Sequence, residues 1–184
     1  VSNIINLSED AKKQLIKAHK YIIYEHDHKY LKNRNPAQYE DYLAPKEEVI
    51  NLDFYKSAIA ILCQSSFHKS IITKNTNIDN VVSVSGNLWS TESLDYIGSL
   101  LGNEKKDRYS ILKSNTWHKN TFETSFYCKK KGYEYELIAS SDYHEFLSLL
   151  SANNKFIFLP KTPETLSRVV VEARMLGSKV ITNK

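Results

Sequence analysis

The chain contains 184 residues, carries a net charge of +4, and is 41% hydrophobic. This length allows one domain or two small ones, and this apolar fraction is sufficient for a globular core. The mild positive charge fits a surface that meets phosphate groups or an acidic membrane. The sequence has no Arg/Lys stripe, zinc-ligand spacing or nucleic-acid-binding motif, so it argues against a DNA- or RNA-binding protein.

Two further features concern location. Cys63 and Cys128 have no CxxC spacing, which is typical of reduced thiols in a cytoplasmic protein. No apolar run approaches the roughly 20 residues of a membrane span, and the N-terminal residues lack a signal-peptide pattern. The sequence therefore predicts a soluble, cytoplasmic protein with at most peripheral membrane contact.

The sequence of residues 1–90 predicts helices and strands in alternation. The apolar periodicity and the turn residues indicate helices over 11–19, 51–58 and 66–73, strands over 21–24, 59–64 and 81–85, and a short helix or turn over 37–43. Such alternation favours a parallel sheet.

Polar residues follow the first predicted strand, in the run Glu25-His26-Asp27-His28. Because α/β sheets place their sites at the carboxyl ends of strands, His26 or Asp27 is a candidate for acting on an acceptor hydroxyl. The run also has the chemistry of metal ligands, although adjacent positions on a strand alternate faces and rarely converge. A solvated loop with ordinary histidines is the third interpretation.

Residues 91–108 are expected to link two domains. Gly86 precedes this region, Gly98, Gly102 and a charged run over 104–108 lie within it, and a short helix is expected over 93–101. A second series follows, with strands over 109–112, 133–139 and 155–159, helices over 121–131 and 144–150, and a polar loop over 113–120.

The C-terminal segment predicts one more helix between two buried strands. Thr162 is the expected N-cap, and Pro163 occupies the first helical position, where its missing N–H costs nothing. Gly177 is expected to end this helix, and a strand follows over 179–182. The whole chain is therefore interpreted as an α/β protein with Rossmann-like parallel sheets and flanking helices.

Two carboxylates lie on this predicted 163–176 helix. Glu164 and Glu172 are separated by seven residues, which corresponds to about 12 Å along a helix axis and about 80° around it. Both would lie opposite the apolar stripe, with Arg168 between them. They could accept hydrogen bonds from hydroxyls of a nucleotide sugar, or they could form i,i+4 ion pairs with Arg168 on a solvated face.

The stretch LPKTPETLSRVVVEARMLGSKVITN resembles the signature of family 4-type glycosyltransferases of the GT-B fold. Leu-Pro at the end of a strand, Glu164, seven residues, Glu172-Ala173 and a small-residue turn into a Val-Ile strand occur in the family's order and spacing. One departure is that Glu164-Thr165-Leu166-Ser167 replaces the glycine-rich turn usual in the family.

The resemblance implies a nucleotide-diphosphate sugar as donor and a glycan or lipid-linked acceptor, without a cofactor or bound metal. Glu164 would hold donor-sugar hydroxyls, Glu172 the ribose, and the backbone N–H groups of Thr165 and Leu166 the donor. Substitution of Glu172 by Ala should then weaken nucleotide binding with little loss of stability.

The resemblance also implies cations in the loop over 113–120. Lys119 matches a family lysine that binds the donor diphosphate, whereas the accompanying arginine falls on Ser114, which leaves Lys113 as the nearby cation. In the resembled family, a histidine on a loop of the first domain often faces the donor sugar, which favours His26 over His28 for that role.

By the same comparison, residues 1–90 would be the later part of the acceptor-side domain, and residues 109–184 a nucleotide-sugar-binding domain incomplete at its C-terminus. The chain would then be an internal piece of a retaining glycosyltransferase. A non-catalytic binding or assembly module that kept the fold is the alternative, because the glycine turn and the diphosphate arginine are missing. A different Rossmann-like enzyme such as an epimerase would require a G-x-G-x-x-G fingerprint, which the sequence lacks.

Overall fold

The computed structural model describes residues 1–183. The chain divides into two compact units, Val1–Asn87 and Leu88–Lys184. Each unit contains a parallel sheet flanked by helices, so the predicted α/β class with Rossmann-like parallel sheets is confirmed.

The first unit contains a three-stranded sheet in the order β1-β2-β3. Its elements are α1 (Glu9–Ala18), β1 (Ile22–Glu25), α2 (Leu52–Lys56), β2 (Ala60–Cys63), α3 (Ser66–Thr76) and β3 (Val81–Ser83), with short 3-10 turns at Ile4–Asn6, Pro36–Gln38, Glu40–Tyr42 and Lys46–Glu48. Ser8 and Ser65 cap α1 and α3 by accepting a backbone N–H of the first turn. The core packs Ile23, Ile61 and Val81 of the three strands against the aromatic side chains of Tyr30, Phe54 and Tyr55.

The second unit contains a four-stranded sheet in the order β5-β4-β6-β7. Its elements are α4 (Thr91–Ser99), β4 (Lys106–Leu112), α5 (Thr121–Lys131), β5 (Tyr135–Ile138), α6 (Tyr143–Ser151), β6 (Asn153–Phe158), α7 (Arg168–Met175) and β7 (Lys179–Thr182). All of its strand pairs are parallel. One core cluster packs α4, α6 and α7 against the sheet, and a smaller cluster surrounds Ile111, Cys128 and Ile157.

Residues 91–108, which were expected to be a linker, contain helix α4 and the first part of β4. They belong to the second unit, which begins at Leu88. The residues that divide the two units are therefore 87 and 88 rather than a separate linker. Among residues 1–183, no helix combines the length and apolar character needed to cross a membrane.

The start of the last helix was predicted wrongly. Helix α7 begins at Arg168 with Ser167 as its N-cap residue, not at Pro163 with Thr162 as its cap. Tertiary contacts hold the preceding segment as a loop: the Lys161 backbone N–H donates to the His118 carbonyl at 2.9 Å, and the Asn183 side chain donates to the Pro160 carbonyl. Those contacts outweigh the local helix-start signal.

Candidate functional site

The second sheet has a topological switch point between the parallel strands β4 and β6. From β4 the chain proceeds to β5 on one side, and it then returns across the sheet to β6 on the other side. The loops that leave the carboxyl ends of two such neighbouring strands diverge and leave a crevice, which is the usual ligand site of open α/β sheets. Here those loops are residues 113–120 and 159–167.

Lys119 and Glu164 meet between these two loops. The Lys119 Nζ lies 2.9 Å from Glu164 Oε1, although the residues are 45 positions apart in sequence. The Lys119 and Glu164 side chains are 27% and 23% exposed to solvent. The ammonium group also lies 5.6 Å from the centre of the Phe158 ring, at the end of β6. The pair is therefore held in place but still open to solvent.

Hydrogen bonds from side chains to backbone carbonyls link the two loops and close the 113–120 loop. The Asn120 side-chain amide donates to the Leu159 carbonyl at 2.7 Å, and the Thr121 hydroxyl donates to the Leu112 carbonyl at 2.7 Å. Asn120 has a left-handed conformation that turns the chain from the loop into α5. Partial burial, followed by the charge of the adjacent Lys119, lowers the pKa of His118, which keeps that imidazole neutral near pH 7.

Lys113, the second predicted cation, lies at the start of the same loop and is exposed. Its backbone N–H donates to the Ile138 carbonyl, which ties the end of β4 to β5. The structure brings Lys119 to Glu164 but does not bring Lys113 to that pair. Thr165 and Leu166 lie in the loop before α7 and are partly buried.

Glu172 occupies a different environment from the one predicted. Its side chain is only 3% exposed, and its Oε1 accepts hydrogen bonds from Trp89 Nε1 at 3.0 Å, from the Tyr143 hydroxyl at 2.6 Å and from Arg168 Nε at 2.7 Å. Burial, followed by the hydrogen bond to Glu172, raises the pKa of Tyr143, so its hydroxyl stays protonated and donates. The prediction that Glu172 lies opposite the apolar stripe is therefore wrong.

The alternative of two i,i+4 ion pairs on α7 is half right. Arg168 pairs with Glu172, but Glu164 is not on the helix and pairs with Lys119 instead. The helical separation of about 12 Å expected for the two glutamates consequently does not apply.

A shallow cavity of about 490 Å³, widely open to solvent, lies beside this network. Helices α6 and α7 begin at the carboxyl ends of β5 and β6, so their first turns lie at the same sheet edge as the 113–120 loop. The cavity walls come from α4, α6 and α7, through Ser93, Tyr143, Phe146, Arg168, Val169 and Glu172.

The polar run after β1 lies in the first unit. Glu25 is fully buried: its Oε1 accepts from the backbone N–H groups of His26 and Asp27 at 2.9 Å, and its Oε2 accepts from the Tyr55 hydroxyl. Lys29 is also buried, with its Nζ 3.5 Å from Glu25 and 2.6 Å from Asp27. Among residues 1–183, no three His, Cys, Asp or Glu side chains are grouped so that they could hold a metal ion.

His26 itself is exposed, with Nε2 at 3.2 Å from Lys29 Nζ. Desolvation by the surrounding protein, followed by the charge of Lys29, lowers its pKa, so the imidazole is neutral at pH 7.

Sequence reasoning did not single out His68 and did not predict that His28 of the polar run is buried against it. His28 Nδ1 lies 2.8 Å from the Tyr30 hydroxyl, and the His28 ring packs edge-on against His68, 4.5 Å between ring centres. Neither ring nitrogen of the fully buried His68 has a hydrogen-bond partner within the described chain. A signal existed in the sequence, because His68 precedes Ile71 and Ile72 by three and four residues and thus shares their helical face.

Comparison of the sequence with known protein families and with curated proteins found no match.

Proposed function

We propose that the chain acts as a nucleotide-sugar-dependent glycosyltransferase, which moves a sugar from a nucleotide-diphosphate donor to a hydroxyl of a glycan or lipid-linked acceptor. The observation that carries the proposal is the Lys119–Glu164 pair at the topological switch point of the second sheet. The two residues to which the resemblance gives donor-binding roles come from distant segments and meet where such sheets bind nucleotides.

Lys119 would stabilise the leaving diphosphate. Negative charge accumulates on that group as the bond to the sugar breaks, and a fixed ammonium lowers the energy of that state. Without ligand, Lys119 is paired with Glu164, so donor binding exchanges one ion pair for a Lys119–phosphate contact and hydrogen bonds from sugar hydroxyls to Glu164. Loss of the Lys119–Glu164 ion pair costs little free energy, because partly exposed ion pairs stabilise a protein by only about 0–1 kcal/mol.

Glu172 would accept a ribose hydroxyl with the oxygen that the network leaves available. Its Oε1 is occupied by three donors, whereas its Oε2 receives no hydrogen bond from residues 1–183. Glu172 is also one of the residues that line the cavity, where its side chain is 3% exposed. Its three hydrogen bonds through Oε1 fix its orientation.

His26 is proposed to act on the sugar or on the acceptor hydroxyl, on the basis of the resemblance and of its neutral, exposed imidazole. Retention of anomeric configuration and independence from a metal ion are likewise proposed from the resemblance. In this scheme the protein side chains supply all of the charge that the leaving group meets.

The test is calorimetric titration with UDP, GDP, ADP and CMP, with and without Mg²⁺. We expect one nucleotide to bind selectively without requiring Mg²⁺, and Lys119→Ala to weaken it by about tenfold or more, because a hydrogen bond to a charged group is lost. Lys130→Ala is the matched control, since Lys130 is an exposed lysine on the adjacent helix α5.

The absence of binding by all four nucleotides would contradict the proposal. The alternative of a non-catalytic binding or assembly module would then be favoured. The loop before α7 gives that alternative its structural basis, because Thr165-Leu166-Ser167 supplies no glycine for the close approach of a phosphate.

A further inference from the structure

A guanidinium group with an unused end lines the cavity of the second unit. We propose that Arg168 is a phosphate-binding residue, whose free end holds an oxyanion of the ligand's diphosphate. It would thereby supply the arginine that the resemblance places at Ser114 and that the 113–120 loop lacks. The identity of the ligand as a nucleotide rests on the proposed function, whereas the phosphate chemistry rests on the geometry of Arg168 alone.

Arg168 uses one side of its guanidinium for contacts within the protein. Its Nε donates to Glu172 Oε1 at 2.7 Å, and its Nη2 donates to the Tyr143 hydroxyl at 3.0 Å. Its Nη1 makes no hydrogen bond or ion pair within residues 1–183. Because a guanidinium carries five N–H donors in a plane, the Nη1/Nη2 end retains two parallel donors. This is the fork that binds a phosphate through two hydrogen bonds.

Two aromatic rings hold this group in place. The guanidinium carbon lies 5.6 Å from the ring centre of Trp89 and 5.0 Å from that of Tyr143. With the two hydrogen bonds, these contacts fix the orientation of a side chain that is still 48% exposed. A fixed and accessible fork binds an anion with a smaller loss of side-chain entropy than a mobile one.

The cavity surrounding Arg168 suits a ligand with polar and apolar parts. Tyr143, Phe146 and Val169 supply apolar surface, Ser93 supplies a hydroxyl, and Glu172 supplies a carboxylate. Because Glu172 offsets part of the positive charge, the affinity for phosphate has to come from the geometry of the fork. Lysine at position 168 would therefore be a poor replacement, since it is a point charge without a fork.

The experiment compares phosphate-containing ligands with ligands that lack phosphate. Pyrophosphate, the four nucleotides and the corresponding nucleosides are titrated calorimetrically into the wild type, Arg168→Lys and Arg168→Gln. We expect both variants to weaken pyrophosphate and nucleotide binding by about tenfold or more, and to leave nucleoside binding within about twofold. Arg174→Lys is the matched control, because Arg174 is an exposed arginine in the last turn of the same helix.

A purely structural role for Arg168 predicts a different result, because a disturbed cavity would weaken nucleosides and nucleotides equally. That outcome would overturn the inference, as would unchanged pyrophosphate affinity in folded Arg168→Lys. A wild type that binds no phosphate ligand would overturn it as well. Circular dichroism establishes whether each variant is folded, and Arg168→Lys keeps a cation beside Glu172 if Arg168→Gln unfolds.

An NMR measurement on the wild type needs no variant. The Arg168 Nη–H resonances are expected to shift on addition of pyrophosphate, and the absence of a shift would overturn the inference. The two proposals can fail separately. If pyrophosphate binds through Arg168 while no nucleotide binds, the phosphate site stands and the glycosyltransferase proposal fails. If a nucleotide binds equally well to wild type and Arg168→Lys, the phosphate-binding role of Arg168 fails and the glycosyltransferase proposal stands.

Discussion

The charged residues at the carboxyl edges of the two sheets differ in their burial and in the number of their protein partners. In the first unit, Glu25 and Lys29 are 0% and 3% exposed, and both Glu25 oxygens are engaged by protein donors. In the second unit, Lys119 and Glu164 keep about a quarter of their exposure and have one principal partner each. A charge that is fully bonded inside the protein stabilises the fold, whereas one that is partly open can exchange its partner for a ligand.

Glu172 combines both situations. It is as buried as Glu25, yet it lines a cavity and has one oxygen without a donor from residues 1–183. If burial determines the role of a charged residue, removal of these side chains should reduce stability in the order Glu25, Glu172, Lys119. Loss of ligand binding should follow a different order, with Lys119 first.

The largest effect on stability is expected for Glu25→Ala. This change removes one member of a buried ion pair and leaves two backbone N–H groups and the Tyr55 hydroxyl without their acceptor. Removing one partner of a buried pair typically costs about 3–5 kcal/mol. Because both tryptophans, Trp89 and Trp117, lie in the second unit, the first unit should be followed by amide hydrogen exchange of β1 and β2.

Glu40→Ala is the control for this prediction, since Glu40 is an exposed glutamate of the same unit. We expect its exchange rates in β1 and β2 to match those of the wild type. Equal protection of these strands in Glu25→Ala and Glu40→Ala would show that burial does not determine the role of Glu25.

Acid should destabilise the first unit through its buried histidines. Burial lowers the pKa of His28 to about 4 and that of His68 to about 3, from ordinary values of 6.5. In the unfolded chain these imidazoles bind protons below about pH 6.5, whereas in the folded unit they remain neutral down to about pH 4. The unfolding free energy should therefore fall as the pH decreases through this range, by about 2 kcal/mol per histidine at pH 5.

Hydrogen exchange of β1 and β2 between pH 7 and pH 5, corrected for the intrinsic pH dependence of exchange, checks this expectation. His68→Leu should reduce the loss of protection, because one of the two protonation sites is removed. His19→Asn is the control, since His19 is exposed. A pH dependence that is identical in His68→Leu and the wild type would argue against a contribution from His68.

Glu172→Ala should destabilise the second unit by about 2–3 kcal/mol, because the Trp89 N–H and the Tyr143 hydroxyl lose their buried acceptor. This revises the sequence-based expectation of little stability loss. Urea unfolding followed by tryptophan fluorescence measures the change, since Trp89 itself belongs to the network.

Glu172→Gln separates folding from binding in this position. The amide keeps an acceptor oxygen for Trp89 and Tyr143, so its loss of stability should be smaller than that of Glu172→Ala. If nucleotide affinity falls in folded Glu172→Gln, the carboxylate has a ligand role in addition to its structural one. An unfolding midpoint for Glu172→Ala equal to that of the wild type would contradict the structural role.

The smallest effect on stability is expected for Lys119→Ala. A quarter-exposed ion pair contributes within about 1 kcal/mol, so the urea midpoint measured by Trp117 and Trp89 fluorescence should change little. The same variant is expected to lose nucleotide binding. A large loss of stability would place Lys119 with Glu25 as a residue that holds the fold, and the contrast between the two sheet edges would disappear.

Much of the fold followed from local patterns. The predicted bounds of α5 and β7 coincide with Thr121–Lys131 and Lys179–Thr182, and Gly132 and Gly177 end their helices with positive φ, as expected. Periodicity, caps and terminating glycines act within a few residues, so they can be read directly from the sequence. The parallel arrangement also followed from the alternation of helices and strands, and it is confirmed in both sheets.

The candidate site was only partly predictable. The resemblance to a glycosyltransferase signature selected Lys119, Glu164 and Glu172, and these roles stay predictions. The meeting of Lys119 with Glu164 depends on the strand order of the second sheet, which no local pattern specifies. Arg168 was noted only as a partner of the glutamates, because its aromatic neighbours come from distant segments.

The sequence by itself determined the α/β class, the positions of most elements and the residues worth testing, because these depend on short-range preferences. Only the tertiary structure decided that α7 starts at Arg168, that Glu172 is buried, and that His28 packs on His68. Each of these outcomes depends on contacts between residues far apart in sequence, whose desolvation and hydrogen bonding outweigh local propensity.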